Sequence, residues 1–315
     1  MTAPAADAVR AVPAVPAAQP SWGQRLCDPT EKTLAVLLLA PAGLLLALIV
    51  LYPIARLIHN SFFDLRLSGR KGARFVGFEN YLLVFQDIDF WNAAGNTLLI
   101  TLITVPGALV VGLGLAMLAN LPFKRQWPVR LALLLPWALP LSFAGLIFAW
   151  FFHTEHGVVN DVARRLGANE PTLWLLRPGL AMAAICLTII WKTSSFMALI
   201  LLAGLQMIPK SLYEAAEVDG ASRWQQFWQI TIPMLMPSII VALIFRTITA
   251  LQTFDIPYTM TRGGPGNSTE TLAMLIHKTT IEYLDVGYGS TLAVCMFVIS
   301  LGVTALYIRR VGQLA

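Results

Sequence analysis

Charge is the scarcest feature of this chain. Only 12% of its 315 residues are Asp, Glu, Lys or Arg, about half the usual share of a water-soluble domain. That leaves too little polar surface for a protein surrounded by water. Cysteine is nearly absent: Cys27, Cys186 and Cys295 lie far apart, so neither a disulfide framework nor metal-ligand spacing follows. No G-x-x-x-x-G-K-[ST] occurs, which excludes ATP binding through a P-loop of its own. His153-Thr154-Glu155-His156 lacks the H-E-x-x-H spacing of a zinc site and reads as interfacial polarity at the end of an apolar run. Residues 1–30 are rich in Ala and Pro, with almost no large apolar side chain before Trp22. Such a segment cannot bury a core, so a disordered tail is expected there. It does not read as a signal peptide, because the apolar run that follows starts too late and runs too long.

What remains is apolar: 57% of residues are hydrophobic and mean hydropathy is +0.68. A bilayer core of about 30 Å needs about 20 apolar helical residues. Six runs meet that need, over 33–58, 93–119, 129–152, 180–206, 234–258 and 289–309. One such run could be a buried soluble helix; six make an all-α, polytopic membrane protein, with residues 31–315 as its transmembrane domain. The net charge of +5 is then accounted for by loops and headgroup contacts, with no nucleic-acid partner.

Orientation should follow Lys and Arg. With the N-terminus inside, ten basic residues fall inside and nine outside, and Arg56, Lys192 and Arg246 lie in or at the ends of spans. That balance does not choose. The short basic loop 120–128, with Lys124 and Arg125, favours a cytoplasmic N-terminus.

One polar segment stands apart, residues 207–233. Ser211-Leu-Tyr-Glu-Ala-Ala-Glu-Val218 is a run of good helix formers, with Ser211 as an N-cap and Glu214 completing a capping box. Gly220 suits the left-handed geometry that ends a helix. A second short helix over 221–231 carries Trp224, Phe227 and Trp228, and Pro233 fits the first turn of the next span. Taken alone, the segment is an amphipathic interfacial loop. Its spacing is more specific: Glu214-Ala215-Ala216, three residues, Gly220, nine residues, Ile230-Thr231-Ile232-Pro233.

This spacing resembles the cytoplasmic EAA loop of ABC-importer permeases, the helix on which the ATPase docks. The resemblance covers about residues 34–310 and is nearest to the maltose-type permeases of carbohydrate uptake. It is carried further by Tyr52-Pro53, Asn60-Ser61-Phe62, Phe75-Val-Gly-Phe-Glu-Asn-Tyr81, Asn96-Thr97, Phe254-Asp255 and Thr261-Arg-Gly-Gly-Pro-Gly-Asn-Ser-Thr-Glu270. It lacks the large insertion and extra leading spans of the eight-span maltose prototype, and fits the six-span disaccharide permeases better. The resemblance implies a type I importer permease fold. It implies that Glu214, Ala215, Ala216, Asp219, Gly220 and Pro233 couple to the ATPase, which fixes 207–233 in the cytoplasm. The implied partners are a second homologous permease, a dimeric ABC ATPase that binds ATP and Mg, an extracytoplasmic solute-binding protein, membrane lipid and a carbohydrate solute. No cofactor is expected in this chain, and it is not an enzyme.

Ionisable residues inside spans are expensive and point to function. Lys192 lies in Trp191-Lys-Thr-Ser-Ser-Phe196 and Arg246 in Phe245-Arg-Thr-Ile-Thr249. Arg246, Thr249, Ala250 and Thr253 share a helical face at steps of three and four, and Asp255 is a distant counter-charge. The resemblance assigns solute contact to Lys192, Thr193, Phe196, Arg246, Thr249, Ala250 and Thr253. The maltose prototype has uncharged residues at the two cation positions, whereas the W-K-T and F-R-T patterns resemble trehalose/maltose-type relatives. A structural role, with each cation paired to carbonyls or to a partner subunit, is the competing reading. The expected solute is a disaccharide such as trehalose or maltose, with glycerol phosphate as the alternative. A secondary transporter using Lys192, Arg246 and Asp255 as a charge relay is the rival class. No inverted repeat or pair of broken helices is legible in support of it.

Overall fold

A chain inside hydrocarbon must satisfy its backbone polar groups internally, and this one does so almost wholly with helices. The computed structural model describes residues 31–67, 72–122 and 126–311. The expected tail, Cys27, Lys124 and Arg125 lie outside the described residues. By its contacts the chain divides after Arg56. The described part of the first unit is α1 (Glu31–Leu46), which passes through a π turn (Ala47–Leu51) into the start of α2 (Tyr52–Asn60). At 1.5 Å per residue, the 29 residues Lys32–Asn60 are long enough to cross a bilayer.

The second unit is built on two long helices, α4 (Ile88–Asn120) and α8 (Pro178–Met207). They pack closely where Gly112 faces α8: a Cβ there would lie 2.7 Å from Met197 Cβ and 3.0 Å from the Ser194 carbonyl. Small residues at such crossings let helices approach without a water-driven force. Around this pair stand α5 (Gln126–Ala138), α6 (Leu141–Phe151), α11 (Ile232–Leu251), α12 (Asp255–Thr261) and α14 (Val286–Val311). Many large apolar side chains face outward, among them Leu102, Val110, Phe143, Leu187 and Val241. An exposed surface of this kind is made for lipid or for another apolar partner.

Among the described residues, five helices are long and apolar enough to span: Lys32–Asn60, Ile88–Asn120, Pro178–Met207, Arg223–Leu251 and Val286–Leu306. The third expected span, 129–152, is present but broken into α5 and α6 at Leu139–Pro140. Pro140 is extended (φ −58°, ψ 144°) and has no N–H to offer the Pro136 carbonyl, so the helix stops and restarts. The fifth span also departs from expectation. It ends at Leu251 rather than near 258, and the helix resumes as α12 after Phe254. Pro257 explains the gap, since it cannot donate to the Thr253 carbonyl. Thr271 Oγ1 donates to that carbonyl instead, at 2.8 Å.

The segment before the fifth span differs as well. No separate second helix covers 221–231. α10 (Arg223–Gln226) continues through a π turn (Phe227–Thr231) into α11, where Ile232 N–H donates to Phe227 O five residues back. Pro233 therefore sits inside a continuous helix, just after a wide turn that absorbs its missing donor.

The loops over 59–92 and 259–288 are tied down by the polar residues of the short motifs quoted above. β1 (Phe63–Asp64) pairs antiparallel with β2 (Arg74–Phe75), and α3 (Glu79–Gln86) follows. Asn80 Nδ2 donates to Ser61 O and Phe63 O, and Ser61 Oγ pairs with Tyr81 OH at 2.7 Å. Asn92 and Asn96 donate to Asn267 O, and Leu272 N–H donates to Thr97 Oγ1. The turn expected near Arg262–Asn267 is present, with positive φ at Arg262, Gly263, Gly266 and Asn267. After it come α13 (Leu272–His277) and a π turn (Lys278–Glu282). Buried Glu270 forms an ion pair with Lys278 at 3.2 Å. Around α7 (Val158–Arg165), buried Asn160 uses both ends of its amide. It donates to Thr154 O and Thr172 O, and accepts from Thr172 N–H and Trp174 Nε1. His153 and His156 stack ring on ring at 5.6 Å.

Candidate functional site: an exposed hairpin and a cationic cavity

Two regions carry the expected functional residues. The first is the hairpin of α9 (Lys210–Val218) and α10. α9 opens on Pro209, not Ser211, and no side chain caps it. Pro209 already sets the entry angle, so the capping box falls one helix later. Ser222 and Gln225 hold it, each side chain bonding the other's backbone N–H. Gly220 has φ +76°. Ala221 N–H donates to Ala216 O and Gly220 N–H to Glu217 O, the pair of bonds that closes a helix with a left-handed residue. Glu214, Ala215 and Asp219 are exposed and Ala216 is half-buried. Glu214 has no ion pair among the described residues. Val218 is 89% exposed, and Leu212 and Trp224 are exposed as well.

The inner side of the hairpin is fastened. Tyr213 packs on an apolar cluster that includes Leu133 of α5, Leu201 and Leu205 of α8, and Leu235 of α11. Its hydroxyl pairs with Thr231 Oγ1 at 2.9 Å. The solvent side of the hairpin thus presents the carboxylates of Glu214, Glu217 and Asp219 with small and large apolar side chains, on a packed base.

The second region is a cavity of about 320 Å³ between α5, α6, α8, α11 and α12. Lys192, Thr193, Phe196, Arg246, Thr249 and Thr253 all line it. Ala250 is fully buried and is not among the lining residues. The shared helical face for Arg246, Thr249 and Thr253 does not carry through, because α11 stops at Leu251. Thr253 reaches the cavity from the break instead. Trp137, Leu141, Gln252 and Phe254 also line it and were missed. They sit at or beside the two breaks, and only Pro140 and Pro257 offered a signal for them.

Both cations are deeply buried, Lys192 at 5% and Arg246 at 3% exposure. Lys192 Nζ donates to Trp137 O at 2.9 Å. That carbonyl lies in the last turn of α5, where helical donors run out and a cation is favoured. Arg246 Nη2 donates to Thr104 Oγ1 at 2.7 Å, and Nη1 reaches Thr249 Oγ1 at 3.4 Å. Its Nε is buried with no hydrogen-bond partner. Asp255 lines the same cavity but does not pair with Arg246. Its Oδ1 accepts from Ser142 Oγ at 3.0 Å. The indole of Trp137 lies nearly parallel to Phe196, with centroids 6.2 Å apart. The cavity therefore offers two cations against one engaged carboxylate, several hydroxyls and an aromatic wall. Such a space suits a small polar solute with rings or hydroxyls, and it favours negative charge. Of the two broken helices that border it, the sequence held no sign beyond Pro140 and Pro257.

Comparison with known proteins agrees with this architecture. A family profile described as binding-protein-dependent transport system inner membrane component matches residues 108–311. The chain is 67% identical to the sulfoquinovosyl glycerol transport system permease protein SmoG of Agrobacterium fabrum, over 92% of this chain and 94% of that protein. It is 39% identical to the trehalose/maltose transport system permease protein MalF of Thermococcus litoralis, over 75% and 79%. Among solved structures, a chain of a bacterial alginate ABC transporter in complex with an alginate pentasaccharide-bound periplasmic protein superposes with a TM-score of 0.78 at 21% identity, over 91% of this chain and 95% of that one. The fold is that of a type I importer permease, and the secondary-transporter reading falls despite the broken helices. The chain belongs to the family of binding-protein-dependent transport system inner membrane components, as a permease subunit of a carbohydrate ABC importer and not an enzyme.

Proposed function

We propose that this permease carries an anionic sugar glycoside of the sulfoquinovosyl glycerol kind through the cavity at Lys192 and Arg246. The observation that carries the reading is two buried cations facing one cavity with no carboxylate paired to either among the described residues. A sulfonate there offsets the cost of holding those charges away from water. Thr193, Thr249 and Thr253 serve sugar hydroxyls, Trp137 and Phe196 a ring face, and Ala250 packs behind them. The 67% identical relative named for sulfoquinovosyl glycerol supports the same solute class. A neutral disaccharide such as trehalose or maltose is the second reading, favoured by the 39% identical relative. In that case Lys192 and Arg246 are held for structure by Trp137 O and Thr104.

In this proposal the N-terminus is cytoplasmic. The hairpin presents Glu214, Ala215, Ala216, Asp219 and Gly220 to a dimeric ABC ATPase that binds ATP and Mg, and Pro233 sets the helix that follows. A second permease completes the pathway, and an extracytoplasmic binding protein delivers solute. This chain binds no cofactor. ATP-driven closure moves the hairpin, and access to the cavity alternates between the two sides of the membrane.

The test is reconstitution of the full complex in proteoliposomes, with ATPase activity measured against sulfoquinovosyl glycerol, trehalose, maltose and glycerol phosphate. Stimulation by sulfoquinovosyl glycerol alone, reduced in Arg246→Met, supports the first reading. Equal stimulation by trehalose in wild type and Arg246→Met would move the assignment to the second.

A further inference from the structure

The cavity lysine also holds the broken helix together. Lys192 and Phe196 stand one turn apart on α8, and both grip Trp137. The ammonium takes its carbonyl at 2.9 Å and the ring lies parallel to its indole. α5 ends beside that grip. α6 also packs on α8, through Phe148 against Trp191, but it is tied chiefly to α12, by packing and through Ser142 to Asp255. The Lys192 ammonium thus holds the first half of the interrupted span and not the second. An ammonium has three N–H donors, and the only hydrogen bond recorded for Lys192 among the described residues is to Trp137 O.

We infer that Lys192 is a positioning residue that exchanges the Trp137 carbonyl for the anionic group of the solute, so that loading the cavity uncaps α5. This rests on the anionic-solute reading above. A hydrogen bond from an ammonium to an anion is roughly twice as strong as one between neutral groups, and the two acceptors compete for one side chain in one cavity. Once the carbonyl is released, the last turn of α5 loses its cation cap, while the stacking on Phe196 and the packing of α5 on α8 remain. The other contacts of α5 give that release a destination. Leu133, one turn before Trp137, packs in the same apolar cluster as Tyr213 of the docking hairpin. One short helix thus links the solute cavity to the base of the ATPase-docking surface. A neutral sugar has no group to win the ammonium and leaves α5 capped.

The experiment uses the assembled importer in nanodiscs, spin-labelled at Leu131 on α5 and Leu187 on α8, both exposed. Inter-label distances are measured by pulsed electron spin resonance, and solute binding is measured separately on the same samples. In wild type, sulfoquinovosyl glycerol shifts the distance distribution and trehalose does not. Lys192→Gln keeps a neutral donor for the carbonyl and loses the shift at saturating solute. Lys192→Met shows the shifted distribution before any solute is added. A wild-type-sized shift in Lys192→Gln at saturation would overturn the exchange, and so would a solute-free Lys192→Met that matches capped wild type. Absence of sulfoquinovosyl glycerol binding in wild type would overturn it together with the solute reading, and the binding measurement tells the two failures apart.

Discussion

The exposed hairpin and the cationic cavity are built on opposite principles. The hairpin satisfies its own backbone locally, with Gly220 and the Ser222–Gln225 box, and leaves its outer side chains unpartnered. The cavity leaves its backbone interrupted at Leu139–Pro140 and Gln252–Phe254, and distant side chains supply what the breaks leave unmade. Lys192 serves Trp137 O, and Thr271 serves Thr253 O. A surface that must be recognised by another protein is cheapest when it is locally self-consistent. A site that must open and close gains from bonds made across helices, because those bonds can be exchanged without unfolding a helix.

That contrast can be broken most directly at the hairpin's charge. Glu214→Lys is expected to abolish solute-stimulated ATPase activity while leaving the permease folded, because the carboxylate has no internal partner to lose. Detectable stimulation at wild-type level would remove the hairpin from coupling. Arg246→Met should be next in size. It removes a buried cation from the cavity and is expected to weaken sulfoquinovosyl glycerol affinity by at least about tenfold, or 1.4 kcal/mol. Equilibrium binding to the complex is the measurement, with unchanged affinity as the contrary result. Gly220→Val forces a branched residue to φ +76°, at a cost of about 1–2 kcal/mol. Its expected effect is partial loss of ATPase association at unchanged solute binding. Asn160→Ala strips four hydrogen bonds from an outer loop. It should lower the melting temperature in detergent by the equivalent of about 1–3 kcal/mol, with coupling intact.

The smallest effect concerns pH. Burial lowers the Lys278 ammonium pKa, but the hydrogen bond and charge of Glu270 outweigh it, leaving the group above the ordinary lysine value. A raised pKa contributes stability that is complete below the unfolded lysine value and is lost as pH rises through the folded one. Thermal stability should therefore fall slightly above the lysine range, and Lys278→Met should flatten that fall.

The sequence disclosed these regions unequally, for physical reasons. The hairpin was legible because helix ends and left-handed glycines are local chemistry, and because Glu214, Gly220 and Pro233 fall at fixed spacing. Even there Ser211 misled, since Pro209 had already opened the helix. In the cavity, Lys192 and Arg246 announced themselves by their cost in an apolar run. Their partners did not: Trp137 and Thr104 are 55 and 142 residues away, and no local pattern encodes such pairings. The breaks were hidden because apolar composition runs straight through them. Pro140 and Pro257 marked them, but prolines also occur inside continuous helices here, as Pro106 does.

The π turn at Phe227–Thr231 changes the arithmetic of the helix that joins the two regions. A π turn holds one residue more than an α turn, so everything beyond it keeps the angular phase of a chain one residue shorter. A helical wheel drawn from Trp224 at about 100° per residue misplaces Arg246 by that same step. Deleting one residue within 227–231 should relax the turn to α-helix and leave Arg246 facing the cavity. The same deletion near Ala242 should turn it by about 100°, off the Thr104 hydroxyl. A deletion scan of this helix, read by transport, should find tolerance confined to those five residues.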